Sequence, residues 1–291
     1  MKKAKLLNSR QMASFAARGF LQFNSLVPAA LNRSFIKAAD ANRIPQVRAG
    51  VAWSDAYAKN STLFKVMRLP AVAGIVQSLV GKNPIFDHHF LHVARPPAFF
   101  AKRGREQRSQ TTHQDSTIDP RFANFDLQLL YFPHAVTAKM GGTRFIPGTH
   151  LRKVSEASVG RYQNMVGQQH VVCPAGTVLA MHHGIWHGGG INRTSKRRLM
   201  FKVRLNPTEP QCRLWDTGDL SEEAGEQRAI FWADKQDPEH IHSILCKREE
   251  WFEADTGRLE YLNRIRFWRN LVGDPTFDAD YWLTRIENMP S

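Results

Sequence analysis

Between residues 86 and 207 the sequence breaks into short β-prone runs closed by turn signals, and this punctuation constrains the fold more than any other property. The runs are Phe90–Ala94, Leu127–Phe132, Thr143–Pro147, His170–Val172, Thr177–Met181 and Leu199–Val203. Gly141-Gly142, Pro147-Gly148 and Pro174-Ala175-Gly176 interrupt them. Segments this short cannot make helices of ordinary length, whereas many brief strands joined by turns predict a sandwich or barrel. The flanks read differently. Asn8 with Gln11 three residues later has the form of a capping box, and Met12, Phe15, Ala16 and Phe20 follow at helical spacing. Stretches 56–69 and 71–80, the latter ending at Gly81, are also helix-like. Beyond Pro210 aromatics accumulate: Trp215, Phe231, Trp232, Trp251, Phe252, Tyr261, Phe267, Trp268, Tyr281 and Trp282. Leu259, Leu262, Ile265 and Trp268 or Arg269 recur at three- and four-residue steps, which predicts helices packing on the β core. No repeat or low-complexity linker divides the 291 residues. The expectation is therefore one α+β domain: a helical buttress over 1–85, a β core over 86–207 and a helical extension over 208–291.

Forty basic and 26 acidic side chains give a net charge of +14, a balance that favours anionic partners. Nucleic acid is not an expected partner, because no zinc finger, RNP-like stretch or basic helix with groove-binding spacing accompanies the charge. Three cysteines, Cys173, Cys212 and Cys246, are odd in number and far apart, which excludes a disulfide framework or a CxxC zinc site and suits a reducing compartment. The start, Met1-Lys2-Lys3-Ala4-Lys5-Leu6-Leu7, leads into Asn8-Ser9-Arg10-Gln11 rather than an apolar segment, and no run approaches a membrane span. A cytoplasmic protein is expected.

The chemistry-bearing motif is His113-Gln114-Asp115, followed 72 residues after Asp115 by His187 in Trp186-His187-Gly188-Gly189-Gly190. Two imidazoles and one carboxylate are the ligand set of a non-haem iron(II) facial triad, which leaves the opposite metal positions open. In an extended segment residues i and i+2 share a side, so His113 and Asp115 can face a barrel interior while Gln114 faces away. The strand over 177–181 can deliver His187, and glycines 188 to 190 let the backbone pass close to a metal. Arg198, eleven residues after His187, is suited to a dicarboxylate cosubstrate because its planar fork meets a carboxylate with two parallel bonds. An HxD alone is weak evidence in a chain with 12 histidines. The order of motifs carries the weight: HxD, a strand, GGTRFIPGTH, another strand, WHGGGIN, then Arg198.

With those motifs in place, residues 111–207 resemble the phytanoyl-CoA dioxygenase family of iron(II)/2-oxoglutarate oxygenases. The resemblance rests on Thr112-His113-Gln114-Asp115, on Gly141 to His150, on Trp186 to Asn192, and on Arg198. It implies a double-stranded β-helix core (jelly-roll, cupin-like) with flanking helices. It also implies His113, Asp115 and His187 as iron ligands and Arg198 as the partner of the far carboxylate of 2-oxoglutarate. Arg197 is the competing candidate for that carboxylate. Gln128 is a candidate contact for cosubstrate or substrate. Thr149 and His150 are expected to be structural, and His182 or His183 to be at most a pocket neighbour. The implied activity uses iron(II), 2-oxoglutarate and O2, with ascorbate as reductant in vitro, and oxidises an unactivated C–H of a small molecule with release of succinate and CO2. Asp115 fills the position that halogenating relatives open to chloride, so hydroxylation is expected.

Arg198, Met200, Lys202 and Arg204 share one face of their strand by parity, which makes Lys202 and Arg204 candidate contacts for an anionic substrate. Arg193, Lys196 and Arg197 in the preceding turn, and Lys102, Arg103, Arg105 and Arg108 before the HxD, add charge that is equally readable as solvated loops. Residues 96–112 are a candidate lid. Two other classes stay open: a nucleic-acid-directed oxygenase or binder, and a catalytically silent or zinc-binding barrel, against which Arg198 argues.

Overall fold

The capping box at the N-terminus forms: in the computed structural model, Asn8 accepts from the Gln11 backbone N–H at 2.9 Å and Gln11 returns a bond to the Asn8 backbone at 3.1 Å. It starts helix α1 (Ser9–Arg18), which stops where Gly19 turns left-handed at φ 78°. The structure describes residues 3–220, 238–253 and 257–274. Then follow β1 (Phe20–Phe23), α2 (Ala29–Asp40), β2 (Val51–Ala52), α3 (Thr62–Met67), α4 (Pro70–Val80), β3 (Ile85–Ala94) and α5 (Pro97–Ala101). The second half brings β4 (Leu127–Phe132), β5 (Thr143–Phe145), α6 (Glu156–Val159), β6 (Gln169–His170), β7 (Thr177–His182), β8 (His187–Gly189), β9 (Arg198–Asn206), α7 (Ile241–Cys246) and α8 (Gly257–Val272).

The strands form two antiparallel sheets, one of six strands in the order β1-β7-β4-β9-β3-β2 and one of three in the order β6-β5-β8. This is the mixed α/β, jelly-roll type of arrangement, but the strands do not close into the barrel that residues 86–207 alone would make. The small sheet's strands are only two or three residues long, too short for a continuous ladder, so side chains rather than hydrogen bonds join the two sheets. The large sheet also takes in β1 and β2 from the part of the chain that reads as helical.

Alternation assigns each strand residue to one of two cores. Leu129 and Tyr131 of β4, Val178 and Ala180 of β7, and Phe201, Val203 and Leu205 of β9 pack against the helices. Leu130, Phe132, Leu179, Met181 and Met200 point the other way and meet Phe145 of the small sheet. Both faces of the large sheet are thus covered at its centre, where every residue of β4 and β7 is buried, whereas Phe90 of β3 is exposed. Helix α8 adds Leu262, Ile265, Phe267, Trp268 and Leu271 to the interior, whereas Leu259 is half-exposed. Trp215 stacks obliquely on Trp268 at 5.7 Å and donates to Ser9 Oγ at 3.0 Å, tying the C-terminal part to α1. Phe231, Trp232, Tyr281 and Trp282 lie outside the described residues. Among the described residues no helix is long and apolar enough to cross a membrane.

Candidate metal centre

The HxD segment is not a full strand. His113 and His187 form an isolated antiparallel bridge in which each backbone N–H donates to the other's carbonyl at 2.9 Å. This pairing sets the two imidazoles side by side, with ring centroids 4.4 Å apart. Asp115 stands on the same side as His113, while Gln114 turns away and donates to Val154 O at 2.9 Å. His113 Nε2 lies 3.5 Å from Asp115 Oδ1, and His187 Nε2 lies 3.6 Å from Asp115 Oδ2. One donor atom from each of the three residues falls within 4.8 Å of the others.

The protonation pattern fits a metal. His113 Nδ1 donates to Thr111 O and His187 Nδ1 to Ile185 O, each at 2.9 Å. Both rings therefore carry a proton on Nδ1 and turn Nε2 toward Asp115, the orientation metal-ligating imidazoles adopt. Burial, reinforced by the neighbouring His113, lowers His187 to about 4, so it is neutral near pH 7. Burial alone would raise the Asp115 carboxyl, but the adjacent His187 and the Lys202 ammonium hold it well below the usual carboxylate range. Two imidazole nitrogens and one carboxylate oxygen converge on one point, a donor set suited to a divalent ion.

Arg198, the first residue of β9, lines the same cavity as His113, His187, Gln128 and Met200. Its side chain is 4% exposed, and neither Nε nor Nη1 has a hydrogen-bond partner. Burial lowers the guanidinium to about 10. A buried cation with unused donors beside a metal-type site fits a carboxylate-bearing cosubstrate. Arg197 points elsewhere and pairs with Asp40.

The other sequence candidates are placed as follows. Lys202 lines the cavity and donates to Asp115 Oδ2 at 2.8 Å, and Gln128 donates to the same oxygen at 2.9 Å. Arg204 is held by Asp126 and by Asp87, the latter at 3.2 Å. His183 is buried 3.6 Å from Asp115 Oδ2, whereas His182 accepts the Gly184 N–H at 2.9 Å. His150 donates to Ala16 O at 3.1 Å and so clamps the end of α1. Two of the glycines after His187 are also required by the chain beside them. A Cβ on Gly188 would lie 3.1 Å from the Gln110 and Thr111 carbonyls, and one on Gly190 would lie 3.0 Å from Gly142 O.

Sequence reading missed His92, Thr143 and Gln110, which also line the cavity. His92 arrives because β3 pairs it with Met200, a register no local motif reveals. Gln110 sits beside the metal-type site, its Nε2 3.4 Å from His113 Nε2 and its Oε1 accepting the Gly189 N–H at 3.0 Å. The end of the 96–112 segment is thereby fastened to β8.

A family model described as phytanoyl-CoA dioxygenase matches residues 23–200. No curated protein matches the chain. Several solved structures share the fold. Apo HygX from Streptomyces hygroscopicus is 14% identical, with 70% of this chain and 87% of that one covered at a TM-score of 0.52. SnoK, a non-heme alpha ketoglutarate dependent carbocyclase from nogalamycin biosynthesis, is 17% identical, with 74% and 90% covered at 0.51. The epimerase SnoN, in complex with Fe3+, alpha ketoglutarate and nogalamycin RO, is 17% identical, with 68% and 84% covered at 0.51.

Proposed function

Since the chain belongs to the phytanoyl-CoA dioxygenase family, we propose that it is an iron(II)- and 2-oxoglutarate-dependent oxygenase acting on a small molecule. The observation that carries this reading is the convergence of His113 Nε2, Asp115 and His187 Nε2 next to a buried guanidinium with unused donors. His113, Asp115 and His187 would hold the iron, and Arg198 would take the far carboxylate of 2-oxoglutarate. Iron with its keto-acid cosubstrate and O2 supplies the oxidising chemistry, with succinate and CO2 released.

The protein's own contribution is placement and exclusion of water. The Thr111 and Ile185 carbonyls accept from Nδ1 of the two imidazoles and so fix the rings with Nε2 toward Asp115. Leu130 and Met200 give the cavity an apolar side, which limits solvent at the reacting carbon. Arg198, at the first residue of β9, anchors one end of the cosubstrate on a rigid element. Asp115 would fill the coordination position that a halide would need, so the outcome we favour is hydroxylation of a C–H bond.

For the substrate we favour an anionic small molecule, on the strength of the +14 charge and the cations at 102, 103 and 105; Arg108 is already paired with Glu106 at 3.0 Å. Lys202 and Arg204 contribute less to that attraction than their face of the strand suggests, because carboxylates already hold both. Turnover confined to neutral or cationic members of a mixed panel would overturn the anionic assignment. The oxygenase reading is tested by succinate formation from 2-oxoglutarate with iron(II), ascorbate and O2, beside His113→Ala. Succinate from the wild type alone is expected. Failure of the wild type both to make succinate and to bind 2-oxoglutarate with iron(II) anaerobically would refute the oxygenase.

A further inference from the structure

Lys202 and Gln128 face the cavity, yet both commit their donors to a protein carboxylate. Lys202 Nζ stands 2.8 Å and Gln128 Nε2 2.9 Å from the same atom, Asp115 Oδ2. A carboxylate oxygen offers two lone pairs, so these two donors fill Oδ2, which His187 Nε2 approaches only to 3.6 Å, and leave Oδ1 free toward His113 Nε2 at 3.5 Å. The Gln128 amide adopts this orientation even though its Oε1 is left buried and unpartnered. His183, fully buried with neither ring nitrogen otherwise bonded, stands 3.6 Å from the same Oδ2. The strands explain why these donors meet. Gln128 lies opposite Arg204 in the β4–β9 pairing, two residues along from Lys202 and therefore on the same face, and both side chains project toward the small sheet.

We propose that Lys202 and Gln128 are positioning residues that hold Asp115 Oδ2 so that the carboxylate meets the metal through Oδ1 alone. The inference rests on the metal reading above. It removes Lys202 and Gln128 from direct contact with substrate or cosubstrate and gives them a task earlier in the cycle, before either organic ligand arrives. A carboxylate held by one oxygen occupies one coordination position. Released, it could swing both oxygens onto the ion and cover a position the cosubstrate needs.

The sign of one measurement separates this role from its rival. Lys202 is a cation close to where a divalent ion binds, so a lysine that served only an anionic substrate would repel the metal. Its removal would then leave metal affinity unchanged or improve it. If Lys202 positions the ligand, its removal weakens binding, and outer-shell partners of metal ligands contribute about 10- to 100-fold in affinity.

The experiment titrates full-length metal-free protein with manganese(II) alone, following the free-ion electron paramagnetic resonance signal. Lys202→Met and Gln128→Leu should each weaken binding by about 10- to 100-fold. Lys202→Arg, which still donates to a carboxylate, should recover most of the loss. Cobalt(II)-loaded Lys202→Met should show an altered visible spectrum as the carboxylate's second oxygen is freed. Gln128→Leu removes no charge, so it tests the proposal even if Lys202→Met folds poorly. His113→Ala is the control for the centre itself. Wild-type or tighter manganese binding by Lys202→Met and Gln128→Leu, with binding lost in His113→Ala, would overturn the positioning role and leave the metal centre standing. Unchanged binding in His113→Ala would overturn the centre and the inference together.

Discussion

Replacing Arg198 by Met should make the metal-free protein more stable while removing its hold on 2-oxoglutarate. Arg198 is 4% exposed, and Nε and Nη1 have no partner, so the folded chain carries an unmet desolvation penalty. An unsatisfied buried donor costs about 1–3 kcal/mol, and more when charged. Methionine keeps most of the stem and removes the charged head. For a chain of this size 1 kcal/mol moves Tm by about 2 °C, so the metal-free variant should melt about 2–6 °C higher. Cosubstrate binding moves the opposite way. Two charge-assisted bonds to a carboxylate contribute about 1.5–3 kcal/mol each, and about 1.4 kcal/mol is tenfold in affinity, so 2-oxoglutarate should bind at least about 100-fold more weakly. Thermal melts with and without manganese(II) and 2-oxoglutarate read both effects in one plate: a raised baseline Tm and an abolished cosubstrate-induced shift. A lowered baseline Tm would mean that Arg198 makes a stabilising bond within the fold. A cosubstrate shift equal to the wild type's would mean that the carboxylate is held elsewhere. Either result breaks the reasoning.

Two further predictions address the frame around the site. Gly19→Ala should lower Tm by several degrees, because Gly19 sits at φ 78° and a Cβ there would come within 2.5 Å of the His150 ring; a melt indistinguishable from wild type would contradict this. Lys153→Met should raise Tm at pH 7, since the buried Nζ has no hydrogen-bond partner and burial lowers the ammonium to about 8. Below about 8 both folded and unfolded chains hold the Lys153 proton, and the folded chain bears the full penalty. Between about 8 and the ordinary lysine value the unfolded chain alone is protonated, so wild-type stability from this group recovers as pH rises. The advantage of Lys153→Met should therefore shrink over that window, and a difference constant with pH would refute the assignment.

The parts of this molecule legible in the sequence are those set by short-range rules. The Asn8–Gln11 cap, the stop at Gly81 and the parity that puts Arg198, Met200, Lys202 and Arg204 on one face all follow from residues a few positions apart. The His113, Asp115 and His187 set could be picked out because the motifs flanking it fall in a specific order. Long-range pairing is what the sequence hid. Phe20 looked like the next helical position after Ala16, yet it starts the edge strand β1, because Gly19 ends the helix and Met181 offers a partner. The bond from Lys202 to Asp115 was equally hidden, since only the closeness of the two sheets turns that cation inward to a carboxylate 87 positions earlier. Gly188 and Gly190 answer to a long-range constraint as well, since a Cβ at either would press on the carbonyls of neighbouring segments.

The reciprocal backbone bonds between His113 and His187 give the centre a property of its own. Side chains alternate along paired segments, so a slip of one residue in this bridge would send one imidazole out of the site and bring glutamine or glycine in. Metal binding at the proposed centre would therefore proofread the fold. An ion that needs both rings can be retained only by chains whose two distant segments have joined in the correct register, so metal content after refolding counts correctly paired molecules.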